Sequence, residues 1–127
     1  MSQSNVVRLD SRSNAPAAWQ TLCSRADLVA NSGVVAWHDG AQVALFHLPD
    51  NAEGEQLFAI ENRDPKSGAN VIGRGIVGSL KGELVIASPL YKQYFRLADG
   101  SCLEYPEQRL QVWPVRLISD EVQIAAG

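Results

Sequence analysis

Two short stretches of this chain set reactive side chains around a proline: Arg63-Asp64-Pro65-Lys66-Ser67-Gly68 and Ala87-Ser88-Pro89-Leu90-Tyr91-Lys92. Between them they offer a carboxylate, ammonium groups, a hydroxyl and a phenol. If the stretches met, a serine beside a lysine or tyrosine could act as nucleophile and base. The same groups could instead satisfy one another and the loop backbone, because buried polar atoms need partners. In the second stretch, Ser88 and Tyr91 have the spacing of a Cys-x-x-His ligand pair, with neither ligand in place. The chain does hold 2 Cys and 2 His. Cys23, Cys102, His38 and His47 share no Cys-x-His or Cys-x-x-His spacing, so they read as strand and core-edge residues. A further pattern, Gly73-x-Gly75-x-x-Gly78, matches a dinucleotide loop in spacing only. No helical run follows it, and no acid stands downstream in a strand–helix–strand unit.

The elements that must position these groups are short strands punctuated by turns. Residues 19–23 alternate large apolar and polar side chains, as a half-buried strand does. Residues 25–33 predict a turn or a single helical turn ending at Gly33. Asp39-Gly40 accepts the positive φ angles of a type I′ turn, so 34–38 and 41–48 predict a hairpin. A polar loop (49–55) leads to a strand at 56–62. Residues 63–79 carry several Gly and a Pro, and predict a structured loop with short extended pieces. Strand-like runs follow at 83–89, 94–97 and 102–105, the last two flanking Asp99-Gly100. Two more, 111–118 and 121–126, meet at Ser119-Asp120. Pro114 cannot donate to a ladder, so it predicts an edge position or a bulge. Eight or nine such strands without a helical period give an all-β sandwich or partly open barrel.

At 127 residues the chain fits one domain. A chain of this size buries roughly two-thirds of its unfolded surface, so neither disulfides nor metal is required for folding. Residues 1–16 read as a mobile N-terminal tail, and 17–127 as a single β domain. The net charge of −3 and pI near 5.3 argue against a nucleic-acid or anionic-membrane partner. No secretory signal and no run of ~18 apolar residues is present, and the two Cys lie far apart. A cytoplasmic protein with reduced thiols is expected.

The two proline loops resemble the cluster-binding loops of the Rieske-type ferredoxin fold, in which Cys-Pro-His-x-Gly and Cys-Pro-x-His-Gly boxes hold a two-iron cluster. On that frame Asp64 and Lys66 stand at the first Cys and His, and Ser88 and Tyr91 at the second. The surrounding phrase Phe95-Arg96-Leu97-Ala98-Asp99-Gly100-Ser101-Cys102-Leu103-Glu104 persists after the second box. A Rieske centre needs two thiolates on one iron and two imidazoles on the other. A carboxylate, an ammonium, a hydroxyl and a phenol do not make that set. An electron-transfer ferredoxin therefore fails on its ligands, and no catalytic, cofactor-binding or metal residue is expected in this chain.

The phrases "ENRDP", "SGAN", "RGIVG" and "ASPLYKQ", within 61–93, resemble the cluster-free small subunits of cytoplasmic NAD(P)H-dependent nitrite reductases. Two positions depart from that pattern: Lys66, where an aromatic is usual, and Tyr94, where a His is usual. The second removes a side chain that could have been a general acid. The resemblance implies a Rieske-like (ISP) domain that assists a large subunit in reducing nitrite to ammonium. It implies FAD, an iron–sulfur cluster and sirohaem in that partner, and an isolated small chain that is not itself catalytic. The alternative is a stand-alone Rieske-like binding module regulating another redox enzyme. Arg63, Lys66, Tyr91, Lys92, Gln93 and Tyr94 are expected to form an exposed partner-facing tip.

Overall fold

The computed structural model describes residues 18–126. The expected mobile tail, residues 1–16, lies outside the described residues. Ten strands form three antiparallel sheets: β1 (Ala18–Ser24), β2 (Gly33–His38), β3 (Ala41–Leu48), β4 (Gln56–Glu61), β5 (Ile76–Leu80), β6 (Glu83–Ala87), β7 (Tyr94–Arg96), β8 (Val112–Trp113), β9 (Val115–Ile118) and β10 (Glu121–Ala126). The sheet orders are β1-β10-β9, β2-β3-β4-β8 and β5-β6-β7.

β3 organises the packing because it is apolar on both faces. Successive side chains of a strand point to opposite sides. Val43 and Leu45 therefore face one core, with Ala59, Val122 and Ile124. Ala44, Phe46 and Leu48 face the other, with Ile60, Ile72, Ile86 and Phe95. The four-stranded sheet is thus the middle layer, with a three-stranded sheet on each side. Burying a side chain such as Phe46 or Leu45 contributes roughly 1.5–3 kcal/mol.

The hairpin at Asp39-Gly40 forms as its turn chemistry requires, with φ of 49° and 79°. A 3-10 turn, Arg25–Asp27, is capped by Ser24, whose side chain accepts from the Ala26 amide. Pro114 ends β8 and passes the chain to another sheet. Val112 pairs with Ile60, while Val115 pairs with Ile124. The single run 111–118 is therefore two strands, which raises the number above the eight or nine expected.

Two further expectations need correction. The segment 63–79 ends in a regular strand: β5 pairs with β6 from Ile76↔Ala87 to Leu80↔Glu83. The Lys81-Gly82 turn that joins them has φ of 52° and 81°. Gly78, with nothing within 4 Å of its would-be Cβ, hides the strand by breaking its alternation. Residues 102–105 do not form a strand. Cys102 makes only an isolated bridge to Phe95, closed by the Leu103 N–H on the Tyr94 carbonyl and the Arg96 N–H on the Ser101 carbonyl, while its own amide turns to the Gln108 carbonyl.

Gly100 closes the turn between β7 and the following segment with φ of +81°, and a Cβ there would lie 1.9 Å from the Leu110 carbonyl oxygen. Gly100→Ala meets both a left-handed backbone and a rigid wall. It should destabilise the domain by about 2 kcal/mol or more, read as a lower denaturant midpoint at unchanged slope.

Candidate functional site

Both proline loops leave the same end of the fold, 62–75 after β4 and 88–93 after β6. Asn62 pins the first loop to the middle sheet. Its Oδ1 accepts from the Gly73 amide at 2.6 Å, its Nδ2 donates to Gln42 Oε1 at 2.8 Å, and it is buried. Beyond it, Asp64 Oδ1 accepts from the amides of Lys66 (2.8 Å) and Ser67 (3.3 Å), folding the loop over its own carboxylate. The Gly68 amide closes that turn on the Asp64 carbonyl, with φ of +79° at Gly68.

In the second loop, Ser88 N donates to the Gln93 carbonyl (2.9 Å) and Lys92 N to the Ser88 carbonyl (3.0 Å). This tight closure needs a left-handed residue, and Lys92 supplies it at φ of 61°.

The loops meet at a buried hydrogen bond. Ser88 Oγ donates to Asp64 Oδ2 at 2.5 Å, with Asp64 0% and Ser88 1% exposed. Gln93 Nε2 donates to Asp64 Oδ1 at 3.4 Å and to Gln108 Oε1 at 3.2 Å, so a third segment joins. Every donor to the carboxylate is neutral. Burial pushes the Asp64 carboxyl up, but hydrogen bonds from Ser88, the Lys66 and Ser67 amides and Gln93 outweigh it. The carboxyl lies below its ordinary value. The Asp64 carboxylate and the Ser88 hydroxyl satisfy each other, while Gln93 Oε1 is buried without a partner among the described residues.

Most of the expected tip is on the surface. Arg63, Lys66, Tyr91 and Lys92 are exposed, and Lys66 Nζ lies 4.4 Å from the Tyr91 ring centroid. Gln93 is a correction: it is 2% exposed and points inward. The αL turn at Lys92 reverses the chain there, and Asp64 needs a donor from that side. Tyr94 is half-buried at the start of β7. Sequence reasoning missed Gln93 and Gln108 as members of the cross-link. A polar amide two places before the buried Phe95, inside an otherwise exposed run, was the available signal.

The remaining candidates stay apart from this site. Gly73 packs against Val35 and Asn62, and Gly78 lies inside β5, so that glycine pattern opens no helix. His47 Nε2 contacts Glu55 Oε2 at 2.6 Å, beside Arg25 at 2.7 Å from the same oxygen. His38 packs edge-on against Trp113. Both thiols are pushed up, chiefly by burial.

A β domain with this loop pair is what the family comparison finds. The model of the Rieske-like [2Fe-2S] domain matches residues 18–125. The nitrite reductase (NADH) small subunit of Salmonella typhimurium is 40% identical over 106 residues, which are 84% of this chain and 95% of that relative. The solution structure of the Escherichia coli protein NirD is 36% identical, with a TM-score of 0.76 over 87% of this chain and 97% of that one. A nitrite reductase [NAD(P)H] large subunit of Klebsiella oxytoca is 37% identical over 106 residues, so this chain spans only 11% of its length. The chain belongs to the Rieske-like [2Fe-2S] domain family, among the nitrite reductase small subunits.

The cluster in that family description does not fit these residues. Asp64, Lys66, Ser88 and Tyr91 supply neither thiolate nor imidazole. Two donors on one metal, each about 2.0–2.3 Å from it, stand roughly 3.3 Å or more apart. Asp64 Oδ2 and Ser88 Oγ are 2.5 Å apart with a proton between them. Purified chain treated with iron and sulfide should develop no charge-transfer bands and no reduced-state EPR signal. A stoichiometric two-iron signal would refute this.

The cross-link also sets an acid limit on stability. A carboxyl held below its unfolded value stabilises the fold fully above that unfolded value, about 3.9 for Asp. The contribution is lost as pH falls through the lower, folded value. Asp64→Ala should cost about 2–4 kcal/mol at neutral pH by stranding its buried donors. The variant should also lose less of its remaining stability than wild type on acidification below about pH 4. Urea titrations at neutral and acidic pH measure both.

Proposed function

We propose that this chain is the cofactor-free small subunit of a cytoplasmic NAD(P)H-dependent nitrite reductase, which reduces nitrite to ammonium in nitrate and nitrite assimilation. One observation carries this reading: the match to the Salmonella small subunit spans 95% of that protein and 84% of this one. The Klebsiella relative supports the partner. A stretch similar to this chain makes up 11% of a protein named as the large subunit. A domain found within one polypeptide of an enzyme works beside the rest of it. The partner large subunit would carry FAD, an iron–sulfur cluster and sirohaem.

The chemistry of the loops supports a non-catalytic role for the isolated chain. Ser88 and Asp64 could pair as nucleophile and base only if substrate reached them, and both are buried. Lys66 and Tyr91 are exposed and lie against each other, the ammonium over the ring. No helix among the described residues is long and apolar enough to cross a membrane.

Tagged full-length chain should copurify from cells with a flavin- and sirohaem-containing protein. Extracts lacking the chain should lose most nitrite-dependent NAD(P)H oxidation, and adding it back should restore the rate. The purified chain alone should oxidise no NAD(P)H with nitrite. Turnover by the chain alone, or unchanged activity without it, would overturn the reading.

A further inference from the structure

We infer that the exposed tip of the two cross-linked loops is the docking face, and that it fits a protein surface with an acidic rim around an apolar recess. This rests on the subunit reading above and adds the face and the charge of the partner.

Charge is distributed unevenly over the molecule. Arg63, Lys66, Arg74 and Lys92 are exposed on the two loops, and none of them forms an ion pair among the described residues. Away from the loops, Arg25 is paired with Glu55 and Arg96 with Glu83, while Lys81, Arg109 and Arg116 form no ion pair among the described residues. The only carboxylate within 62–75 and 88–93 is Asp64, buried and committed to the cross-link. On the segment that carries Gln108 to the cross-link, Glu104 and Glu107 are exposed, and Glu104 accepts from the Tyr94 amide and the Cys102 thiol. A chain with a net charge of −3 thus carries, on these two loops, four unpaired cations and no exposed carboxylate. Such a field steers an oppositely charged surface and repels a like one.

Apolar surface lies inside that rim. Leu90 is 50% and Tyr91 52% exposed. Ile76 is 76% exposed and pairs in register with Ala87, the residue before Ser88, which places it at the same end. An apolar centre with a polar, charged border is the usual anatomy of a protein interface. Lys66 over Tyr91 joins the exposed groups of one loop to those of the other. The backbone beneath is fixed by the Asp64–Ser88 bond and the Lys92 turn, so little ordering cost remains to be met on binding. Two other aromatics are exposed, Trp37 beside Val35 on the edge strand β2, and Tyr105, and neither belongs to the two loops that carry these four cations.

The test is calorimetric titration of full-length chain into the large subunit at low and raised salt, from about 50 to about 300 mM, over which the Debye length shortens from about 14 to about 6 Å. Wild-type affinity should fall about tenfold or more across that range. Lys66→Glu with Lys92→Glu should weaken binding at least roughly thirtyfold at low salt. Tyr91→Ala should weaken it about tenfold with the salt dependence kept. Lys81→Glu, at the opposite end of β5, should bind as wild type does. Circular dichroism confirms that each variant is folded. Wild-type affinity in the folded double reversal, or loss of affinity in Trp37→Ala instead, would overturn the inference while leaving the subunit reading intact. If wild-type chain bound the large subunit at neither salt concentration, the subunit reading would fall and this inference with it.

Discussion

The hydrogen bond from Ser88 Oγ to Asp64 Oδ2 is the contact on which the loop end of this protein depends. A buried carboxylate with no cation beside it costs several kcal/mol through lost hydration. Here that cost is offset by donors on both loops: the Lys66 and Ser67 amides of the first, and the Ser88 hydroxyl and Gln93 side-chain amide of the second. Hydrogen bonds to a charged acceptor contribute roughly 1.5–3 kcal/mol each. The sum holds only while both loops keep their places, so the carboxylate ties the loops to each other. In a cluster-bearing relative of the fold, metal–ligand bonds would join the same two loops. The lone pairs of Asp64 do that job here by noncovalent means.

The cross-link works because the loops are already anchored on rigid sheets. Asn62 holds the first loop to β3 through Gln42. Gly33 and Gly75 let it press against neighbouring backbone: a Cβ on Gly33 would lie 2.4 Å from the Gly73 oxygen, and one on Gly75 would lie 2.3 Å from the Ala87 oxygen. The first contact joins the loop to the middle sheet, and the second joins it to β6. The middle sheet in turn is held from both sides, because β3 buries Val43 and Leu45 in one core and Phe46 and Leu48 in the other. Position at the tip is therefore set by packing that begins at the centre of the molecule.

Much of this was legible in the residues themselves. Asp39-Gly40 and the alternating runs around it specify a hairpin by turn chemistry alone, and Pro114 marks a strand boundary because it lacks an N–H. The loss of every cluster ligand was also readable, since ligand chemistry depends on residue type more than on geometry. What was not legible depends on long-range partners. β5 has Gly78 in its middle and mostly exposed side chains, so it becomes a strand only when β6 supplies the ladder. Gln93 looks like a surface residue in a run of Tyr and Lys. Its burial follows from the left-handed turn at Lys92, a conformation that lysine seldom adopts and that composition does not signal.

Replacing a cluster by a carboxylate cross-link also changes what the loop tips can contribute to a complex. A cluster near a surface makes distance to a partner's redox centre the quantity that matters. Without one, the tip contributes shape and charge. The groups that surround the cross-link suit that role. Asp64 keeps its negative charge buried and saturated with donors, while Lys66, whose amide caps that same carboxylate, sends its ammonium outward over Tyr91. The negative end of the arrangement stiffens the backbone, and the positive end is left free at the surface. A hydroxyl and a carboxylate in place of two thiolates therefore leave a tip fixed by a buried hydrogen bond, with Lys66 and Tyr91 at its surface.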